Sequence, residues 1–349
     1  MKIAAIIAAY NEEADIAKTI ESLRDQTVPL LTILVVANNC TDNTAEVARR
    51  AGAEVLEIPH NPGRKAGALN AGLRHLLPRL SPNDAVLQAD GDTILEPQLV
   101  EALAQSLEKN ERVGASSCAY FAKPYKGLLS TLQQAEFAME RRRIQRRRGV
   151  PACLSGVATL FRVQCFHDIA AARGTALPGA RSDFYLPGSL TEDYELTLAL
   201  RTLGYELRSP ERAVAWTDVM TDWGSLWKQR LRWQRGTLET LRLYGRRRCT
   251  WRPWLEQALT YLSMMMPVLL FVLWGMALST GHISWNLRWL AVIPLTSLLQ
   301  LLEVRPLKSG KVCALAAFIV PMWLYGLWRT AVYWDAAIKA ARRTKASWS

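Results

Sequence analysis

The chain has 349 residues, enough for one α/β domain of ordinary size with about a hundred residues beyond it. Its 43 Lys+Arg against 31 Asp+Glu give a formal charge of +12, which suits an anionic partner: a nucleotide, a phospholipid surface or, on charge alone, a nucleic acid. Cys40, Cys118, Cys153, Cys165, Cys249 and Cys313 form no CxxC pair and no His/Cys cluster at zinc spacing, which argues against a disulfide framework or structural zinc and for a reducing compartment. Taken in chain order, Ile3–Ala9 is too short for a secretory signal and predicts a buried first strand, ended by Tyr10-Asn11-Glu12-Glu13. A helix from Glu13 to Gln26, a strand over Leu31–Val36, a helix from Thr41 to Ala51 and a strand over Glu54–Ile58 follow. A helix from Lys65 to Leu77 then precedes the strand Ala85–Ala89, and the rhythm runs to about Phe121. Such βαβ alternation predicts a mostly parallel sheet with helices on both faces and ligands at the carboxyl ends of its strands. Just after those strands stand Tyr10-Asn11-Glu12, Asn38-Asn39-Cys40-Thr41-Asp42 and Asp90-Gly91-Asp92. Asn and Asp are also ordinary turn formers and caps, with Thr41 or Asp42 able to start a helix.

The later chain changes character. Ser130–Arg148 predicts a helix ending in Arg141-Arg142-Arg143-Ile144-Gln145-Arg146-Arg147-Arg148, either a solvated helix end or a contact for anionic headgroups or a sugar diphosphate. Between Asp218 and Tyr244, Trp223, Leu226, Trp227, Leu231, Trp233, Leu238, Leu241 and Tyr244 alternate with basic residues, as in a helix lying in a membrane interface. Three apolar segments follow, Leu255–Leu278, Leu287–Leu302 and Val312–Trp328. Arg246–Arg248 before the first segment and Arg305, Lys308 and Lys311 after the second fit a hairpin of two spans with cytoplasmic flanks. The basic tail Arg342-Arg343-Thr344-Lys345 then requires either a departure from that charge rule or a re-entrant segment. His60, His75, His167 and His282 share no spacing, and Met264–Met266 sit inside an apolar run, so packing or surface roles are expected of them.

Asp90-Gly91-Asp92 places two carboxylates where they can jointly hold a hard divalent cation against a diphosphate. A single such pair is weak, but it stands in an ordered company: Ile7–Glu13 at the first strand, Asn61-Pro62-Gly63-Arg64-Lys65-Ala66-Gly67-Ala68-Leu69-Asn70, Ser155-Gly156, Thr191-Glu192-Asp193, and Gln229-Arg230-Leu231-Arg232-Trp233. With these motifs the stretch from Lys2 to Tyr244 resembles the family-2 glycosyltransferases of the GT-A fold, in the membrane-integrated branch with the synthases of cellulose, chitin, hyaluronan and poly-N-acetylglucosamine.

The resemblance implies an α/β, Rossmann-like GT-A catalytic domain over residues 1–217 facing the cytosol. Interfacial helices carrying QxxRW would occupy 218–254, and two to three membrane-spanning segments with a basic tail 255–349. It implies an inverting transferase: Asp90 and Asp92 hold Mg²⁺ or Mn²⁺, and Tyr10, Glu12, Asn39, Lys65 and Asp90 line the nucleotide-sugar. Gly156, Gln229, Arg232 and Trp233 meet the acceptor, and Asp193 acts as base with Glu192 in support. Thr191-Glu192-Asp193 also reads as a helix start capped by Thr191 with acids in its first turn, which is compatible with the base role. Where many relatives carry Asp-Asp or Asp-Gly-Ser after the second strand this chain has Asn38-Asn39-Cys40, so UDP is expected as donor nucleotide without the usual carboxylate. The expected partners are a UDP-sugar, a polysaccharide or lipid-linked acceptor, the bilayer, and a partner subunit or second copy completing an export path. No nucleic acid is expected, since the basic residues lie beside membrane signals. The expected location is the bacterial inner membrane with several passes. Single addition of a sugar to a lipid, and a nucleotide-binding scaffold without catalysis, are the alternatives.

Overall fold

The computed structural model describes residues 1–123, 125–281, 292–305 and 309–344. They form two compact units, Met1–Trp223 and Gly224–Ser349.

In the first unit, β1 (Ile3–Ala9), β2 (Thr32–Asn38), β3 (Glu54–Ile58), β4 (Ala85–Ala89), β6 (Val113–Ser117), β8 (Ala158–Arg162) and β9 (Glu206–Arg208) make one sheet in the order β3-β2-β1-β4-β8-β6-β9. The pairs β3/β2, β2/β1, β1/β4 and β6/β9 are parallel, whereas β8 runs against both β4 and β6. The expected parallel sheet is therefore realised over four strands and then interrupted by one reversed strand. A smaller sheet, β5 (Ile94–Leu95), β10 (Val214–Thr217) and β7 (Ala119–Ala122), lies beside it.

The central strands are apolar on both faces because both faces are covered. Ile3, Ala5, Ile7 and Ala9 share a core with Ile16, Ile20 and Leu23 of α1 (Ile16–Arg24), Ala48 of α2 (Thr44–Arg50), and Leu99, Leu103 and Leu107 of α4 (Leu99–Glu108). On the opposite face α3 (Arg64–Leu76) sets Gly72 against Ile6 and Val36. Strands β1, β3 and β4 fall on their predicted residues, while the predicted second strand and the first three helices differ from the structure by one to three residues at either end. The second helix starts at Thr44, where Asp42 Oδ1 accepts from Thr44 N at 3.0 Å, so Asp42 caps from two residues upstream. Beyond the sheet come α5 (Leu128–Arg146), α6 (Val163–Ala172) and α7 (Glu192–Thr202). The arginine cluster covers the C-terminal turns of α5 and the residues after it; Arg141 lies 4.9 Å over the Phe121 ring and Arg143 pairs with Glu140 at 3.3 Å.

The second unit contains α8 (Trp223–Tyr244), α9 (Trp251–Thr280), α10 (Val292–Val304), α11 (Gly310–Ala317) and α12 (Ile319–Ala341), with Trp223 itself closing the first unit. Gln234 Nε2 donates to Gln257 Oε1 (2.7 Å) and to Tyr261 Oη (3.1 Å), and Tyr261 donates to the Tyr333 carbonyl (3.0 Å), joining α8, α9 and α12. Trp227 packs edge-on against Trp328 at 5.8 Å. Among the described residues one helix, Trp251–Thr280, is long and apolar enough to cross a membrane, and it contains the first expected segment. The expected third segment is not one straight helix. It breaks at Phe318, and Gly310–Ala317 and Val320–Ala341 meet at 79°. Of the expected middle segment, residues 287–291 lie outside the described residues, as do Lys308, Lys345 and His282.

Candidate active site

At the carboxyl edge of the parallel strands the backbone takes left-handed conformations. Asn11 and Asn39, which follow β1 and β2, both adopt φ of 55°, and Arg64 at the head of α3 adopts 53°. Asparagine tolerates this region, whereas Arg64 stores strain there and so fixes how the next residue, Lys65, enters the site. Lys65 Nζ lies 2.7 Å from Asp90 Oδ1 after β4 and 2.7 Å from Glu192 Oε1 at the start of α7. Although burial works against its charge, the Asp90 and Glu192 carboxylates hold Lys65 well above its ordinary value.

Gly156 brings these groups to a point. A Cβ placed on it would lie 3.4 Å from Lys65 Nζ, 3.5 Å from Asp90 Oδ2 and 3.7 Å from Asp193 Oδ2. Residues far apart in the chain thus converge on a spot that a missing side chain leaves open. Asp193 Oδ1 accepts from Tyr194 N at 2.7 Å, and burial, then the charge of Glu192, pushes its carboxyl up to about 7.

The Lys65-Ala66-Gly67-Ala68-Leu69-Asn70 stretch has a physical reason at each polar or small position. Gly67 passes so close to Asn61 that a Cβ would stand 2.3 Å from Asn61 Oδ1. Asn70 Oδ1 accepts from Phe184 N (3.0 Å) and Tyr185 N (2.8 Å), and its Nδ2 donates to the Tyr185 carbonyl (2.8 Å). That anchors the segment leading into α7 against α3. The same segment is clasped by Arg173, fully buried, which donates to Glu195 Oε1 (2.5 Å) and Oε2 (2.9 Å) and to the carbonyls of Pro178 (2.8 Å) and Phe184 (2.9 Å).

On the other side of Asp90 negative charge predominates. Burial, then Asp92 and Asp90, pushes Glu12 up to about 7; burial, then Asp90 and Asp218, pushes Asp92 up to about 6. Lys123 pairs with Asp218 at 2.7 Å. Crowded carboxylates, whose mutual repulsion shows in the raised Glu12 and Asp92, are the donor set that a hard divalent cation satisfies, so Asp90 and Asp92 fit the metal role. Among the described residues no three His, Cys, Asp or Glu side chains already form a closed metal cage.

The sequence-derived candidates therefore fall into three groups. Lys65, Asp90, Gly156, Glu192 and Asp193 meet in one place, and Glu12 and Asp92 sit in the adjoining acidic cluster. Tyr10, 60% exposed, and Asn39 stand at the ends of β1 and β2; the Asn39 carboxamide is engaged with the Asn61 backbone. Gln229, Arg232 and Trp233 lie on α8 in the second unit, where Arg230, almost fully buried, stacks 4.4 Å over the Trp233 ring and donates to Gln229 Oε1. One expectation is corrected: Thr191 stands at the N-cap of α7 but makes no capping hydrogen bond, and its buried Oγ1 has no partner among the described residues, while Asp193 itself accepts a first-turn N–H. Asn61, Asp218, Lys123 and Arg173 were not among the candidates. Only Asn61, four residues before Lys65, carried a sequence signal.

A model of the glycosyltransferase-like family 2 matches residues 2–236. The poly-β-1,6-N-acetyl-D-glucosamine synthase of Staphylococcus epidermidis is 26% identical over 246 residues, 68% of this chain and 55% of the relative. That of Staphylococcus aureus is 26% identical over 243 residues, 68% and 54%. The chain spans about half the length of these curated relatives. Among solved structures, the mannosyltransferase PcManGT from Pyrobaculum calidifontis, in complex with GDP-Man and Mn²⁺, superposes with a TM-score of 0.63 at 17% identity, over 99% of this chain and 88% of that one. This last likeness is one of fold.

Proposed function

We propose, on the premise that this chain belongs to the glycosyltransferase-like family 2 and is an inverting glycosyltransferase, that it moves a hexose or N-acetylhexosamine from a UDP-sugar onto a growing polysaccharide at the cytoplasmic face of a membrane. The observation that carries the reading is the convergence of Lys65, Asp90 and Asp193 on the open space at Gly156. Asp193 takes the proton of the acceptor hydroxyl as that oxygen attacks the anomeric carbon, while the bond from that carbon to the diphosphate oxygen breaks on the opposite face. A carboxyl poised at about 7 suits a base working near neutrality. Glu192 is tied to Lys65, so it holds the lysine and tunes Asp193 instead of competing for the proton. Asp90 and Asp92 would hold Mg²⁺ or Mn²⁺, which when bound stabilises the charge growing on the leaving diphosphate. Lys65 adds a positive charge beside it. Gln229, Arg232 and Trp233 are assigned to the acceptor by their motif.

Residues 1–217 form the cytosolic catalytic part in this reading, 218–254 the interfacial part and 255–349 the membrane part. Support for the last comes from α9, whose Leu262, Phe271, Trp274 and Leu278 are each more than half exposed along a 30-residue apolar helix. The sugar and the polymeric product are supported by the two staphylococcal synthases, which are relatives over part of their length. The test is release of UDP from a panel of UDP-sugars, with Mg²⁺ or Mn²⁺, by protein purified with lipid. One donor is expected to react and Asp193→Asn to abolish release, with product length deciding between polymer and single addition. Folded protein that releases UDP from none of them would refute the reading.

A further inference from the structure

The groups that meet at Gly156 are carried by three elements: Lys65 by α3, Asp90 by the end of β4, and Glu192 and Asp193 by α7. A lysine that lies 2.7 Å from both Asp90 and Glu192 requires the spacing of all three to be fixed. One residue outside the site is tied to each of them. Tyr185, 1% exposed, is held at its N–H (2.8 Å) and at its carbonyl (2.8 Å) by Asn70, five residues after Lys65 on α3. Its hydroxyl donates to Gln88 Oε1, two residues before Asp90 on β4. The carbonyl of its neighbour Phe184 accepts from Arg173 Nη2, and the same nitrogen donates to Glu195 Oε2 of α7, two residues after Asp193.

The packing explains why these bonds are rigid. Gln88 pairs with Ile6 of β1, and Gly72 of α3 lies over Ile6, so Gln88 turns its side chain to the face that α3 covers. A buried amide there needs a partner, and the tyrosine hydroxyl supplies one. The Tyr185 ring packs against Phe166 of α6 with centroids 6.2 Å apart, which leaves the hydroxyl little freedom to seek another acceptor. A hydrogen bond whose two ends are both shielded from water is costly to leave unmade.

We infer that Tyr185 is a positioning residue of the transfer reaction: through Gln88 and Asn70 it sets the spacing between Asp90, Lys65 and Asp193 without touching substrate. The inference rests on the proposed function and goes beyond its site, to a side chain buried beneath it.

The test compares wild type, Tyr185→Phe and Tyr185→Phe/Gln88→Leu as full-length protein purified with lipid. It measures kcat and KM for release of UDP, with Mn²⁺, from the UDP-sugar that wild type accepts, beside thermal unfolding. Tyr185→Phe keeps the ring and both backbone bonds to Asn70 but leaves the Gln88 oxygen unpaired, so the melting temperature is expected to fall. The double variant replaces both partners with apolar groups of similar shape, so the melting temperature is expected to recover toward wild type. In both variants kcat is expected to fall about ten-fold, as for reacting groups moved by a fraction of an ångström, while the donor KM changes less than about two-fold. Recovery of kcat together with the melting temperature in the double variant would make the bond a structural one and overturn the inference. A kcat within about two-fold of wild type in Tyr185→Phe would overturn it as well, and both results leave the proposed function intact. Folded wild type that releases UDP from no UDP-sugar would overturn the proposed function and the inference together.

Discussion

Gly156→Ala separates the catalytic reading from a structural one. The new methyl would stand 3.4, 3.5 and 3.7 Å from Lys65 Nζ, Asp90 Oδ2 and Asp193 Oδ2, ordinary contacts that require no repacking. Gly156 is also not among the glycines with positive φ, so the backbone accepts alanine. Stability should therefore move by no more than about 1 kcal/mol, in either direction. The reacting atoms are less tolerant. If the anomeric carbon and the acceptor oxygen occupy the space between base and lysine, a methyl group there displaces them by about 1 Å, which costs about 100-fold in rate, or about 2.7 kcal/mol. The assay is kcat/KM for release of the nucleoside diphosphate, alongside thermal unfolding and the affinity for the product diphosphate. Product carries no sugar, so its affinity is expected to fall much less than kcat/KM. A variant that is stable and works within about threefold of wild type would show that the chemistry happens elsewhere.

Other consequences are open to measurement. Because Asp193 is raised to about 7 by burial and by Glu192, kcat/KM should rise with pH through that value, and Glu192→Gln should move the rise to lower pH; an unmoved profile would detach Glu192 from the base. Glu12 and Asp92 are raised to about 7 and about 6, so the folded state holds protons the unfolded chain has lost; their favourable contribution is complete below about pH 4 and disappears as pH rises through 6 to 7. A cation that relieves their repulsion should therefore raise the melting temperature more at pH 8 than at pH 5.5, and Asp92→Asn should remove most of that difference. Arg173→Met, which leaves Glu195 charged and buried, should cost about 3 to 5 kcal/mol of stability, with Arg173→Met/Glu195→Met recovering part of it in the same unfolding measurement.

What could be read from one dimension was local. The strands β1, β3 and β4 announce themselves because short apolar runs end in Asn, Asp or Pro-containing turns, and the Asp90-Gly91-Asp92 and Thr191-Glu192-Asp193 positions follow from their places after a strand and before a helix. The reversed strand β8 was not legible: Ala158–Arg162 is as apolar as its parallel neighbours, and direction is set by the long path through α5. The helix start after Thr191 was legible but its capping was not: among the described residues a residue of the right type leaves its hydroxyl unpaired while the neighbouring Asp193 carboxylate accepts a first-turn N–H. At Asn38 and Asn39 the two residues have the same side chain, and only the position of Asn61 shows that Asn39 is engaged at both ends of its carboxamide and Asn38 through its oxygen. The break at Phe318 likewise falls inside an apolar run with no polar residue to mark it.

The charge arrangement explains why the lysine, the glycine and the acidic cluster belong together. A nucleoside diphosphate is an anion, and alone it would be repelled by a site in which Asp92 and Asp90 raise the proton affinity of Glu12, and Asp90 that of Asp92. Lys123 is engaged with Asp218 and Lys65 with Asp90 and Glu192, so the site meets its ligand with its nearest positive charges already paired. In the proposed reading, binding would become favourable when a divalent cation arrives with the diphosphate, because the cation would turn the carboxylates from a penalty into ligands. With Asp90 serving as a cation ligand, Lys65 would keep its second partner, Glu192, and be free to face the diphosphate. On the proposed reading, the acidity that disfavours the bare anion would select its metal complex and leave Asp193, beyond Lys65 and next to the open space at Gly156, as the carboxylate for the acceptor's proton.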